Sequence, residues 1–295
     1  MSSVRDVRSE TDLSIGRLSA AFSEPRSSVG RWVQGSRAVV AKRSRRRPVS
    51  GCKILRERIK GLCLEPRERM RGYRMIRALL LRRYGLRVSR KTVNRVMRDL
   101  GLCQSRLRRK PLRPKRVERM RPSRPNQAWQ VDMTSFQRSD LRPVYLVTVI
   151  DCFTRQLVGW HANDRCKATD WSSAVRQALE SRGMTTKEAC SGLVLRSDNG
   201  AQPSSKHFVE FLGRHGVRGQ YTGYNAPDDN AYVERVIRTI KEEEVWCSDY
   251  DSLHEARECI SDYVRYYNRD RLHSSLNYRT PDEVYDECRS NQLAA

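Results

Sequence analysis

The chain has 295 residues, 38% of them hydrophobic, and a formal net charge of +24, enough for two domains or one large domain with an appendage. Residues 1–125 carry 37 Lys and Arg against 9 Asp and Glu, a net +28, whereas residues 126–295 carry 21 against 25, a net −4. A cationic module on a nearly neutral body points to nucleic acid. An anionic membrane fits less well, because no apolar run approaches the ~18 residues of a spanning helix.

No apolar stretch near Met1 resembles a secretion signal, so the expected location is the cytoplasm, on the nucleoid. The nine cysteines stand singly, with no CxxC pair, and read as free thiols. All five histidines lie at or beyond His161, which excludes a His/Cys zinc module from the basic half.

Residues 1–50 form a basic, poorly defined segment in which two short helices could flank Glu24-Pro25. Over 51–102 the pattern becomes helical. "CKILRERIKGL" spaces its apolar residues at three and four. A helix through Met75, Ile76, Leu79 and Leu80 then ends near Tyr84-Gly85, and a second begins after Ser89 as N-cap. The second turns Val93, Val96, Met97 and Leu100 inward and Arg90, Lys91, Asn94, Arg95 and Arg98 outward. This is the outline of a helix-turn-helix DNA reader, although an ordinary basic helical hairpin shows the same spacing. Residues 103–127 are rich in Pro and Arg and read as an extended cationic linker.

From 128 the composition changes. "AWQVDMTSF" alternates as a strand, with Gln130, Asp132 and Thr134 on one face. "VYLVTVID" reads as a central strand and "RQLVGWH" as a third. A helix at about 168–183, the strand of "GLVLRSDNG", a helix in "SSKHFVEFLGRHG", a strand in "VRGQYT" and helices at about 229–246 and 252–269 follow. Three strands, then helix, strand, helix, strand and helix is the order of an α/β ribonuclease-H-like domain. It is expected over 128–285, preceded by the all-α helix-turn-helix module.

Three carboxylates stand out. Asp132 lies inside the first strand, Asp198 where an apolar strand gives out into Asn199-Gly200, and Glu234 in the first turns of a later helix. Sixty-five residues separate the first two and 35 the last two. Acids held close together stay ionised only with a cation between them. Magnesium or manganese, which prefer oxygen ligands, would serve, and two such ions could drive an in-line phosphoryl displacement. Glu234 shares a helical stripe with Arg238 and Lys241, a metal ligand backed by phosphate contacts or simply a solvated face.

"WQVDMT", "RSDNGAQ", "YNAPDDNAYVERVIRTIKEE" and "YVRYYNRDRLHSSLNYRTP" resemble the blocks of the insertion-sequence-three family of OrfB-type transposases, which have a retroviral-integrase-like DDE core. Residues 72–102 resemble the helix-turn-helix block that precedes that core. The resemblance implies a transposase that cuts and joins double-stranded DNA at the terminal repeats and in the target. It implies Asp132, Asp198 and Glu234 as the metal-binding triad and Lys241 in contact with element-end DNA. It also implies a homo-multimer on DNA, with an OrfA-type partner or fusion. Arg196 and Pro203 depart from the family, which commonly has a His and an aromatic residue there. The alternatives are a non-catalytic DNA-binding repressor or degenerate derivative, and a ribonuclease of the same fold.

Other acids carry simpler expectations. Asp151 is expected to pair with Arg155, Asp228 and Asp229 to cap a helix, and Glu242, Glu243 and Glu244 to lie on a solvated face. His273 is expected to be structural.

Overall fold

A computed structural model of the chain describes residues 14–23, 50–65, 67–68, 71–103, 121–222 and 230–293. The chain separates into two compact units, Met1–Leu55 and Arg56–Ala295. The first holds helix α1 (Ile15–Ala21) and the opening residues of α2 (Ser50–Leu64), which runs on into the second. The second short helix expected beyond Pro25, most of the 103–127 linker, and Asp228 and Asp229 lie outside the described residues.

In the second unit, α3 (Tyr73–Tyr84) stops at Gly85, which takes a left-handed φ of 65° and closes the helix end. Helix α4 (Arg90–Asp99) starts at Ser89, whose hydroxyl accepts the Thr92 N–H at 3.1 Å. Ile76, Leu79 and Leu80 of α3 and Val93, Val96 and Met97 of α4 are buried. The apolar residues thus face inward as their spacing predicts, and Leu100 is half-buried.

Five strands follow: β1 (Ala128–Gln137), β2 (Pro143–Asp151), β3 (Leu157–Asn163), β4 (Val194–Ser197) and β5 (Arg218–Tyr221). They lie in the order β3-β2-β1-β4-β5, with the β3-β2-β1 meander antiparallel and β4 and β5 parallel to β1. Helices α5 (Ala168–Ser181), α6 (Lys206–His215), α7 (Ala231–Glu243), α8 (Leu253–Arg269) and α9 (Pro281–Leu293) complete the unit. With the helical module before it, this is the mixed α/β sheet of a ribonuclease-H-like core.

Strand alternation divides the core in two. Trp129 and Val131 of β1 point to the layer of Trp171, Val175, Phe208 and Phe211 on α5 and α6. Phe136 on the opposite face meets Val236, Ile237, Ile240, Ile260 and Tyr263 on α7 and α8. Gly159 of β3 lies so close to α5 that a Cβ there would sit 2.3 Å from the Ala174 carbonyl oxygen. On α7 the buried Val233, Val236, Ile237 and Ile240 fall at i, i+3, i+4 and i+7. Each contributes about 1.5–3 kcal/mol of burial, which fixes the roll of the helix.

Helix α9 is absent from the sequence expectation, which closed the fold at about 269. It is started by a reciprocal cap, with Glu283 N–H donating to Thr280 Oγ1 at 3.2 Å and Thr280 N–H to Glu283 Oε2 at 2.8 Å. Among the described residues, no helix is long and apolar enough to cross a membrane.

Candidate active site and nucleic-acid interface

Sheet register brings the first two acids toward one edge. β1 and β4 run parallel with Gln130 opposite Arg196, and Asp132 and Asp198 each follow two residues beyond that pair, Asp132 still on β1 and Asp198 just past the end of β4. Asp132 points to the α7 side of the sheet, half-buried, and its Oδ1 accepts the Met133 N–H at 2.7 Å. Asp198 is exposed where β4 ends. Its Oδ1 accepts the Gly200 N–H at 3.2 Å, and a Cβ at Gly200 would press on both carboxylate oxygens at 3.2 and 3.3 Å. Gly200 therefore leaves room for that carboxylate.

Gln130 joins α7 to this edge. Its side chain, 1% exposed, accepts the N–H groups of Tyr232 and Val233, each at 3.1 Å. Those N–H groups lie in the first turn of α7, where no intrahelical acceptor exists. A glutamine two residues before Asp132 thus caps the helix that carries Glu234. Sequence alternation places Gln130 only on the polar face of β1, and a buried polar residue on a strand does not advertise its partner.

The electrostatics register how near the three acids are. Burial raises the Asp132 carboxyl from 3.8 to about 6, against the lowering effect of the Met133 N–H, and the charges of Asp198 and Glu234 push it further up. Glu234 is exposed on α7. Among the described residues, no group of three His, Cys, Asp or Glu side chains stands close enough to hold an ion as they lie. The donor set is nevertheless all carboxylate oxygen, which suits magnesium or manganese.

The two departures from the family pattern are built into this corner. Arg196 is buried on β4 and donates to Gln220 Oε1 at 3.2 Å. Pro203 is buried near Gly200, and its carbonyl accepts the Tyr221 hydroxyl at 3.2 Å.

Further along α7 the expected solvated run of acids is overturned. Glu243 is 6% exposed and Glu244 8% exposed. Glu243 receives Arg71 Nη1 at 2.8 Å, Arg271 Nε and Nη2 at 3.0 Å and the Tyr263 hydroxyl at 2.8 Å. Arg71 also bonds Glu68 at 3.0 Å and Tyr266 at 2.9 Å. Burial would raise the Glu243 carboxyl, but the charges of Arg271 and Arg71 outweigh it and hold the group below its usual value. Burial raises Glu244, which accepts the Ser248 hydroxyl at 3.3 Å. Glu242 is half-buried and pairs with Arg238 at 2.8 Å.

Asp151 is corrected too. Its fully buried carboxylate accepts N–H bonds from Asn126, Trp129, Phe153 and Thr154 at 2.6 to 3.2 Å. The Arg155 guanidinium lies instead over the Tyr232 ring, 3.7 Å from its centroid. His273 is buried edge-on to Tyr267. Burial, with the charges of Arg271, Arg71 and Arg155 adding, lowers its imidazole to about 2.

Among the expected DNA contacts, Arg90, Lys91, Arg95 and Arg98 are exposed on α4 and Asn94 is half-buried. Arg238 is exposed on α7 and Lys241 half-buried beside it.

The integrase core domain family matches residues 122–226, and a second family with the same description matches 215–281. An HTH-like domain matches 52–111. The chain is 29% identical, over 78% of its length and 92% of the relative's, to the transposase for insertion sequence element IS904 of Lactococcus lactis subsp. lactis (strain IL1403). It is 28% identical, over 79% of its length and 83% of the relative's, to the putative transposase InsK for insertion sequence element IS150 of Escherichia coli (strain K12). Among solved structures it is similar to a chain of a simian T-cell lymphotropic virus intasome, at 15% identity and TM-score 0.48 over 70% of this chain and 73% of that one.

Proposed function

The chain belongs to the integrase-core transposases of insertion sequences, and from that premise we propose that it cuts DNA at the ends of an insertion sequence and joins them to a target. Asp132, Asp198 and Glu234 would hold the divalent cation, magnesium or manganese, as two ions. Bound there, the metal supplies activation of a water or sugar hydroxyl and stabilisation of the departing oxygen.

The chain's own part is placement. β1 and β4 hold Asp132 and Asp198 on rigid backbone, and Gln130 anchors the start of α7 so that Glu234 approaches from the helix layer. The exposed cations of α4, with Arg238 and Lys241 on α7, engage phosphate and hold the terminal repeats in register. Assembly as a homo-multimer that spans two ends, with or without an OrfA-type partner, completes the reading.

One observation carries it. Gln130, two residues before Asp132 on β1, holds the first turn of the helix that carries Glu234 by two N–H bonds at 3.1 Å, and β1 lies beside β4, which ends just before Asp198. This supports a shared carboxylate site. The test is to incubate the purified chain with its own element's ends, with and without magnesium. Magnesium-dependent joined ends are expected on duplex DNA. Cleavage of an RNA–DNA hybrid in preference to the duplex, or the same outcome without a divalent ion, would overturn the proposal.

A further inference from the structure

Beside the start of α7 lies an open cleft of about 330 Å³ whose walls include Arg121, Arg155, Tyr232, Ser275, Asn277 and Arg279. The three arginines come from three separate stretches: the approach to β1, the turn between β2 and β3, and the turn before α9. Among the described residues, no carboxylate lines the cleft. Arg279 shares its charge with Glu287 outside it. Among the described residues, neither Arg121 nor Arg155 has an acidic side chain within ion-pair distance.

The Arg121 and Arg155 guanidinium groups at one opening, with Arg279 beside them, favour an anion there. Arg155 is preorganised for such a guest: its guanidinium rests on the face of Tyr232 at 3.7 Å, and one nitrogen donates to the Cys152 carbonyl. Among the described residues, no other group bonds the rest of the fork. Ser275 and Asn277, both exposed at the mouth, add neutral donors.

We infer that this cleft grips the backbone phosphate of a DNA strand on its way to the carboxylates, at a site separate from the α4 surface. The inference rests on the proposed function for the identity of the strand. Position supports it. Tyr232 is both a wall of the cleft and the residue whose N–H is held by Gln130. Asp132 lies two residues beyond Gln130 and Glu234 two beyond Tyr232. Gln130 thus ties the backbone beside the cleft to the strand that carries Asp132.

The test is binding of the full chain to a fixed-sequence synthetic DNA duplex, followed by fluorescence anisotropy across a salt series without divalent ions. The double variant Arg121→Gln/Arg155→Gln is expected to lower the slope of log affinity against log salt by about two. Lys206→Gln/Arg214→Gln on α6 removes the same charge and is expected to leave the slope unchanged. Arg155→Lys, which keeps the charge, is expected to keep the slope near that of the wild type.

Equal slopes for the cleft and α6 variants would overturn the inference. Should the double variant fail to fold, Arg121→Gln alone, at an exposed position, is expected to lower the slope by about one, and no change there would be equally fatal. The readout needs no catalysis. Joined ends with an unchanged slope would remove the cleft and spare the function, whereas a lowered slope without joining would do the reverse.

Discussion

Glu234 and Glu243 stand on the same helix and have opposite surroundings. Glu234 is exposed and adds its charge to the repulsion on Asp132. Glu243 is buried and receives Arg71, Arg271 and Tyr263 at once. One end of α7 lies near Asp132, while the other end ties Glu68 and Arg71, within the span of the HTH-like match, to α8 and the loop beyond it. The lesson is that an acid's role is set by the balance of charge around it. In the proposed function the carboxylates around Asp132 take a cation from outside, whereas the buried cluster already contains its own.

The difference breaks most sharply at the exposed end. Asp198→Asn or Glu234→Gln is expected to reduce end joining by three orders of magnitude or more, about 4 kcal/mol of barrier. The melting temperature and DNA affinity should stay near wild type, since neither side chain is buried. A calorimetric scan beside the joining assay separates the two effects.

Glu243→Gln reverses the pattern. It leaves two buried guanidinium groups short of their counter-charge, and a loss of about 3–5 kcal/mol of stability is expected. Urea unfolding measures it. A loss under 1 kcal/mol would show that the cluster contributes little.

Acid sharpens the same contrast. His273 titrates near 2 when folded and near 6.5 when free, so between those values the unfolded chain binds the extra proton. Its contribution to stability is full above about pH 6.5 and is lost as the pH falls below it, at up to about 1.4 kcal/mol per pH unit. Asp132 acts in the opposite sense between about 6 and 3.8, because the folded form takes up its proton first. Comparing unfolding of wild type and His273→Asn from pH 7 to 5 cancels the Asp132 term, and the variant should show the flatter pH dependence.

The smallest effect concerns Arg238. Its exposed pair with Glu242 is worth less than about 0.5 kcal/mol, so Arg238→Gln should scarcely change stability. The salt slope of DNA binding should fall by about one.

Much of the fold was legible because it is written in local periodicity. The alternation of "AWQVDMTSF", the cap at Ser89 and the stop at Gly85 act over a few residues, and each element formed where its pattern lay. Helix α9 was missed although its signal is local: "TPDE" carries a Thr–Glu reciprocal cap with Pro at the first helical position. The misread residues depend on distant partners. Arg71 lies 172 positions from Glu243, and no local rule turns "KEEE" into a buried cluster. Asp151 was read against its sequence neighbour Arg155, but its four N–H donors come from both sides of it, 2 to 25 residues away. For Asp132, Asp198 and Glu234, type and spacing were visible in the sequence. The Gln130 bond that draws α7 toward β1 was not.

Manganese binding by the full chain, followed by electron paramagnetic resonance in the presence of duplex DNA, tests the central claim most directly. Wild type should take up the ion, and Asp132→Asn, Asp198→Asn and Glu234→Gln should each lose that binding while remaining folded. Uptake that is unchanged in all three variants would contradict a shared carboxylate site.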